Sequence, residues 1–351
     1  MRTVERIITC AEAIREALEQ EMERDPAVVV LGMGVDDPKG IFGTTKGLVD
    51  RFGPERVFDT PLSEDGMTGV AIGAALAGLK PVHVHIRMDF LLLAVNQVVN
   101  MAAKARYMWG GQVSVPLVIR AVIGRSWGQG PQHSQALHSF FMHVPGLKVV
   151  APTTPYDAKG ALIQAIRDPD PVLVVEHRMA HVLRGPVPEE PYAIPFGKSR
   201  TIAEGDDVTI VGVSHMTVES LRARTYLEAE GIRAEVIDCL SLSPLDADAI
   251  AASLEKTGRL LVVDNGWTMC GASAEILARM AEGRQFRRPP MLRRMGFAPV
   301  TCPTTKNLEN LFYPDAEKIA ATAYAMVRGD ERPWIPERRE AAEILSFKGP
   351  F

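Results

Sequence analysis

The chain reads as a two-domain α/β protein built on largely parallel sheets, with a larger first domain and a smaller second one. Short apolar runs alternate with longer amphipathic ones along its whole length, the pattern of strands and helices taking turns. A Pro-rich stretch without periodicity breaks that alternation after Glu176. The length, 351 residues, corresponds to about two domains and is enough to bury substantial cores.

In the first domain, expected to span 1–180, apolar runs at 28–32, 82–85, 116–122, 148–151 and 172–176 are short and rich in Val, Ile and Leu, which suits strands. Between them the spacing of apolar residues predicts helices at 11–23, 68–77, 91–107, 135–143 and 155–167. The segment from His181 to Pro195 holds four prolines, so 181–200 is read as a linker. A second set follows over 201–328. Strands are expected at 207–213, 233–238, 259–264 and 291–295, with helices at 218–230, 247–256, 272–282 and 316–327. Beyond Arg328 the chain turns charged and Pro-interrupted, so 329–351 is expected to be a tail or an arm laid on a partner.

Composition excludes several classes. Hydrophobic residues make up 46% and charged ones 23%, as in ordinary globular proteins. A net charge of −4 gives no electrostatic case for nucleic acid. No run of about 18 apolar residues is present, and the Arg- and Glu-rich start resembles neither a signal peptide nor a membrane anchor. Cys10, Cys239, Cys270 and Cys302 are scattered without Cys-x-x-Cys spacing, which argues against zinc and against a disulfide framework. A cytoplasmic protein is expected.

The most informative stretch runs Asp59-Thr60-Pro61-Leu62-Ser63-Glu64-Asp65-Gly66 into a Gly- and Ala-rich segment ending at Leu79. An apolar run ends there in a turn that presents one carboxylate where small residues let other backbone come close. Glu64 is then either a reactive acid or, with Ser63, a helix cap. Phe90, just past a strand, is either a stacking surface for a flat ring or a core aromatic, and Leu62 lines a cavity or simply packs. His133 lies in the Gly-rich loop 128–135; an imidazole at a cleft mouth suits proton transfer near neutrality, although a lone loop histidine is usually not catalytic. His138 and His143 are read as structural. Gly32-Met33-Gly34 lacks the rest of a dinucleotide fingerprint, and Gly197-Lys198-Ser199 follows a Pro-rich linker where a phosphate loop needs a strand.

Thr60-Pro61-Leu62-Ser63-Glu64 with Gly66, Gln132-His133-Ser134-Gln135, and Pro145-Gly146-Leu147-Lys148-Val149-Val150 together resemble the beta subunit of the thiamine-diphosphate-dependent decarboxylating component of 2-oxo acid dehydrogenases, and related transketolase-like beta chains. The likeness is colinear over roughly residues 5 to 328. It implies a pyrimidine-binding first domain and a transketolase C-terminal-like second one that mainly supports dimer contacts. It also implies that Glu64 binds the N1′ nitrogen of the cofactor's aminopyrimidine and shares a proton with it, that Phe90 stacks on that ring beside Leu62, and that His133 assists later steps on the thiazolium side. Leu117, Ala165, Ile166, Asp168 and Asp170 match a loop that holds a structural monovalent cation, K+, in some relatives; a solvated Pro-Asp turn is the alternative.

The Gly-Asp-Gly run and following Asn that hold magnesium and diphosphate in such enzymes are missing. The resemblance therefore implies a separate alpha subunit carrying Mg2+ and the diphosphate, in a heterotetramer of two alpha and two beta chains. The expected activity is decarboxylation of a 2-oxo acid and transfer of its acyl unit to a lipoyl carrier held by an acyltransferase. Two departures, Val82–Asp89 and the Ala298–Pro303 stretch, keep open a transketolase-like transfer to a small acceptor such as a sugar. A non-catalytic scaffold would not need Glu64, Phe90 and His133 together.

Overall fold

The computed structural model describes residues 6–37, 40–124, 128–282, 284–329 and 333–337. Contacts divide the chain into two compact units. Among the described residues the first unit holds 6–124 and 141–196, and the second holds 128–140 and 197–337. The segment carrying His133 thus belongs with the second unit, although the sequence continues into and out of the first. Most of the expected tail lies outside the described residues. No helix among them is long and apolar enough to cross a membrane.

In the first unit, parallel strands follow the order Lys148–Val150, Val172–His177, Val118–Ile123, Lys80–His85, Val28–Gly32, Val57–Phe58. Val30 pairs with Val82, and Val82 with Val118. The central strands are buried along their whole length. That is why they read as apolar runs without alternation: both faces of a parallel sheet are covered.

Helix Cys10–Arg24 begins with a capping box, in which Thr9 accepts from the Glu12 N–H and the Glu12 carboxylate accepts from the Thr9 N–H at 2.7 Å. Its Ala13, Ile14, Ala17, Leu18 and Met22 are buried against helix Pro155–Arg167. Burying Leu18 and Met22 stabilises by about 1.5–3 kcal/mol each. Lys159 of the second helix is fully buried but reaches Glu16 at 2.6 Å, so its charge is compensated where water is excluded.

The structure adds strands Val57–Phe58 and Arg200–Ala203 to those expected, and three of the expected helices change form. The helix expected from 68 begins at Glu64. The single helix expected over 91–107 is divided into Met88–Leu91, a 3-10 turn Leu92–Ala94, a π segment Gln97–Ala102 and Ala103–Met108. The one expected over 135–143 shortens to His138–Met142.

Gly32 ends its strand at φ 146°, and a Cβ there would lie 2.4 Å from the Val84 carbonyl oxygen. No L side chain fits that approach, so Gly32→Ala is expected to cost about 1–3 kcal/mol, read as a lower urea midpoint.

The second unit is a sheet ordered Met291–Phe297, Arg259–Trp267, Val208–Gly212, Ala234–Asp238, Arg200–Ala203, with only the last strand antiparallel to its neighbour. Helices Met216–Ala229 and Ala316–Arg328 cover its core through Ala223, Leu227, Ile319 and Ala323. Trp334 stacks on Tyr324 with centroids 4.8 Å apart.

Candidate active site

The turn at Leu62 and Glu64 sits at the carboxyl end of the first unit's sheet, where parallel α/β folds place their ligands. Strand Val57–Phe58 ends there. Asp59 pins the turn by accepting the Gly34 N–H at 2.7 Å, which ties it to the end of strand Val28–Gly32. Helix Glu64–Leu76 then starts, with Ser63 at its N-cap making no side-chain cap bond. Glu64 is half-buried, and its carboxylate makes no hydrogen bond among the described residues. Capping therefore does not use this acid, and its lone pairs remain available. Leu62 is 75% exposed, so it does not pack into this chain's own core.

Phe90 lies past the end of strand Lys80–His85, on the short helix Met88–Leu91. Its neighbours Met88, Asp89 and Leu91 are buried while Phe90 is only half-buried. Leu62, Glu64 and Phe90 are thus gathered at one edge of one sheet, on the exits of two strands.

Beneath that edge the structure shows a polar pair that sequence reasoning left without a role. His83 and His85 are buried on strand Lys80–His85 with ring centroids 4.2 Å apart. The His83 Nδ1 lies 3.4 Å from the hydroxyl of Thr68, one turn along the helix from Glu64. Burial pushes His83 down to about 4, and burial with the neighbouring His83 pushes His85 well below its ordinary value. Both imidazoles are neutral at pH 7. Such groups add stability above pH 6.5 that fades as the medium is acidified toward 4, where the unfolded chain binds protons first.

His133 is half-buried, with its backbone N–H 3.5 Å from the Gly130 carbonyl. Its segment is held on the second unit at both ends. On one side the Gly128 N–H faces Glu309 Oε2 at 3.4 Å, and a Cβ on Gly130 would meet Thr304 Cγ2 at 2.7 Å. On the other, His138 Nε2 meets Asp264 Oδ1 at 2.8 Å, both side chains being buried. Asp264 also accepts the Ser273 N–H at 3.3 Å. His138, read as structural from the sequence, is buried against a partner that lies 126 residues away, beyond the reach of any spacing argument. His138→Ala is expected to cost about 1–3 kcal/mol and to speed proteolytic cleavage within 128–140.

At the expected cation turn, helix Pro155–Arg167 gives way to strand Val172–His177. The Ala165 carbonyl accepts the Asp168 N–H at 3.2 Å, and the Leu117 carbonyl accepts the Val172 N–H at 3.0 Å. Asp168 takes Lys148 Nζ at 2.7 Å, while Asp170 takes Arg106 Nε at 2.5 Å and Lys148 at 3.6 Å. Protein cations thus already face both carboxylates. Among the described residues no group of three or more His, Cys, Asp or Glu side chains is placed to hold a metal ion.

A second buried cluster lies at strands Val118–Ile123 and Val172–His177. Arg120 grips Glu176 through Nε at 2.5 Å and Nη2 at 2.8 Å, and His181 Nε2 reaches the same carboxylate at 3.1 Å. Burial alone would raise the Glu176 carboxyl, but the Arg120 charge and the bonds from Arg120 and His181 outweigh it and hold the group at about 2.

An acid without a hydrogen-bond partner among the described residues and a half-buried aromatic thus both lie past strand ends in the first unit of this α/β chain. Residues 7–182 match the family model "Transketolase, pyrimidine binding domain", and 197–319 match "Transketolase, C-terminal domain". The chain is 44% identical, over 90% of its length and 96% of the relative's, to the "Acetoin:2,6-dichlorophenolindophenol oxidoreductase subunit beta" of Cupriavidus necator. It is 42% identical, over 89% and 87%, to the "Pyruvate dehydrogenase E1 component subunit beta-1, mitochondrial" of Arabidopsis thaliana. A solved "Split gene transketolase, inactive beta4 tetramer" shares the fold at TM-score 0.74 and 23% identity, covering 92% of this chain and 99% of that one. The protein belongs to the family of beta subunits of thiamine-dependent 2-oxo acid dehydrogenases.

Proposed function

We propose that this chain supplies the pyrimidine half of a thiamine-diphosphate site, in an enzyme that decarboxylates a 2-oxo acid and passes the acyl unit to a lipoyl carrier. The observation that carries the reading is Glu64: an acid at a strand-to-helix turn, without an internal partner, beside an exposed Leu62 and near a half-buried Phe90. This set fits an aminopyrimidine, which offers a basic ring nitrogen to an acid and a flat face to an aromatic ring. When bound, the cofactor supplies the nucleophilic carbon and the electron sink. Glu64 holds and returns the proton at N1′, Phe90 and Leu62 fix the ring, and His133 handles protons in the steps after decarboxylation.

The magnesium and diphosphate belong to an alpha-type partner, in an assembly of two alpha and two beta chains, because no Gly-Asp-Gly run is present here. Relatives named as an oxidoreductase subunit and a pyruvate dehydrogenase subunit favour the dehydrogenase reading, and with it a lipoyl carrier on an acyltransferase, over transfer to a small-molecule acceptor. The cation turn at Leu117, Ala165, Ile166, Asp168 and Asp170 takes K+ through carbonyl oxygens, whose second lone pairs suit a weakly charged hard ion. Free cysteines at 10, 239, 270 and 302 suit a reducing cytoplasm.

Calorimetry tests the split site. Thiamine diphosphate with magnesium is expected to bind the mixture of this chain and its alpha partner and not this chain alone. Tight binding to the isolated chain would refute the division.

A further inference from the structure

Strand Lys80–His85 leaves the sheet through two polar residues that nothing in the pyrimidine site uses. His85 is buried, and its Nε2 has no hydrogen-bond partner. An orphaned imidazole nitrogen of this kind is costly to bury unless something occupies the position facing it. Two residues further on, Arg87 caps the short helix that carries Phe90. Its guanidinium is half-buried and forms no ion pair among the described residues; its bond is a 3.5 Å contact to the Ile86 carbonyl oxygen. Burial lowers the Arg87 pKa, with Asp89 acting the other way, so the cation is partly stripped of water. A guanidinium presents five donors in a rigid fork suited to a carboxylate. Most of that fork is unspent, three residues before the aromatic that faces the cofactor.

Resting on the reading of this site as that of a 2-oxo acid decarboxylase, we infer that Arg87, backed by His85, binds an anionic group at the far end of the substrate, so that the enzyme prefers dicarboxylic 2-oxo acids. The carboxylate that leaves as carbon dioxide is the less suitable partner. Pairing it with a fixed cation would stabilise the ground state more than the transition state, in which that charge disperses. A distal carboxylate keeps its charge throughout, so the ion pair serves recognition without opposing the chemistry. A distal carboxylate also gives the half-buried guanidinium a partner of opposite charge, where an apolar substrate tail would shield it from water and offer it none.

The test uses the enzyme assembled with its alpha partner, magnesium and thiamine diphosphate. Decarboxylation is measured on 2-oxopentanedioate against 2-oxopentanoate, which differ only in carboxylate versus methyl at the far end, and on the six-carbon pair. At least one dicarboxylate is expected to exceed its partner in kcat/KM by about tenfold or more. Arg87→Met should bring that ratio near unity, and Arg87→Lys should keep part of it. Calorimetry with pentanedioate and pentanoate reads the same preference without turnover. A wild-type enzyme that favours the monocarboxylates, or an Arg87→Met ratio equal to that of wild type, overturns the inference. Turnover without preference defeats the anion site and leaves the decarboxylase reading standing. Arg87-dependent pentanedioate binding without turnover of any 2-oxo acid does the reverse.

Discussion

Replacing Glu64 by Gln is expected to lower decarboxylation by the assembled enzyme by about 10²–10⁴-fold, the range over which a positioned acid–base group contributes. Glutamine keeps the length and shape of the side chain but can neither hold nor release a proton at N1′. The effect should be confined to chemistry. Glu64 is half-buried and its carboxylate bonds to nothing among the described residues, so the thermal midpoint of this chain should move little, as for surface changes worth within about 0.5 kcal/mol. Carbon dioxide release and a melting curve on the same preparation separate the two readouts. Wild-type decarboxylation by Glu64→Gln would remove the central residue from the proposed mechanism. An intact rate with a collapsed melting curve would turn Glu64 into a structural acid.

Glu176→Ala should do the opposite, with a loss of about 3–5 kcal/mol in folding stability. Arg120 is 0% exposed and Glu176 3%, so removing the carboxylate strands a guanidinium where no water can replace its partner. The folded Glu176 carboxyl at about 2 lies below its ordinary 4.5. Its contribution is therefore complete above pH 4.5 and is lost as the pH falls through 2. Urea midpoints at neutral and acid pH should show the variant's deficit shrinking in acid. Replacing the pair together, Arg120→Met with Glu176→Leu, should recover much of the stability, because no charge is then stranded and the bond from His181 Nε2 is what remains lost. A double variant as unstable as the single one would mean that the cluster is held by more than its charges.

Much of this architecture is visible in the residues. The buried strands of the first unit announce themselves because a parallel sheet covered on both faces tolerates little but Val, Ile and Leu. The region 91–107 shows where such reading ends. Buried Leu91, Ala94, Val98, Ala102 and Ala105 keep the three- and four-residue spacing of one helix, yet the hydrogen-bond ladder passes through 3-10 and π turns. Side-chain spacing records which face is buried, not which carbonyl each N–H chooses. Of the proposed site, Glu64, Leu62 and Phe90 are named from the motif and its neighbourhood, and the structure sets each past the end of a strand. The His83–His85 pair was visible as alternation on a strand, but its burial and the contact to Thr68 are tertiary facts. The His138–Asp264 pair joins residues far apart in the chain, and a single sequence carries no signal that links them.

That pair changes what the smaller unit is for. Through Glu309, Thr304 and Asp264 it keeps hold of the stretch bearing His133, so the imidazole's address is written in the second half of the gene. A fragment ending at Phe196 would still display Glu64 and Phe90 but would carry His133 on a strap with no anchorage. Exchanging the second unit for that of a relative would replace every one of those anchors while leaving the sheet edge that carries Glu64 untouched.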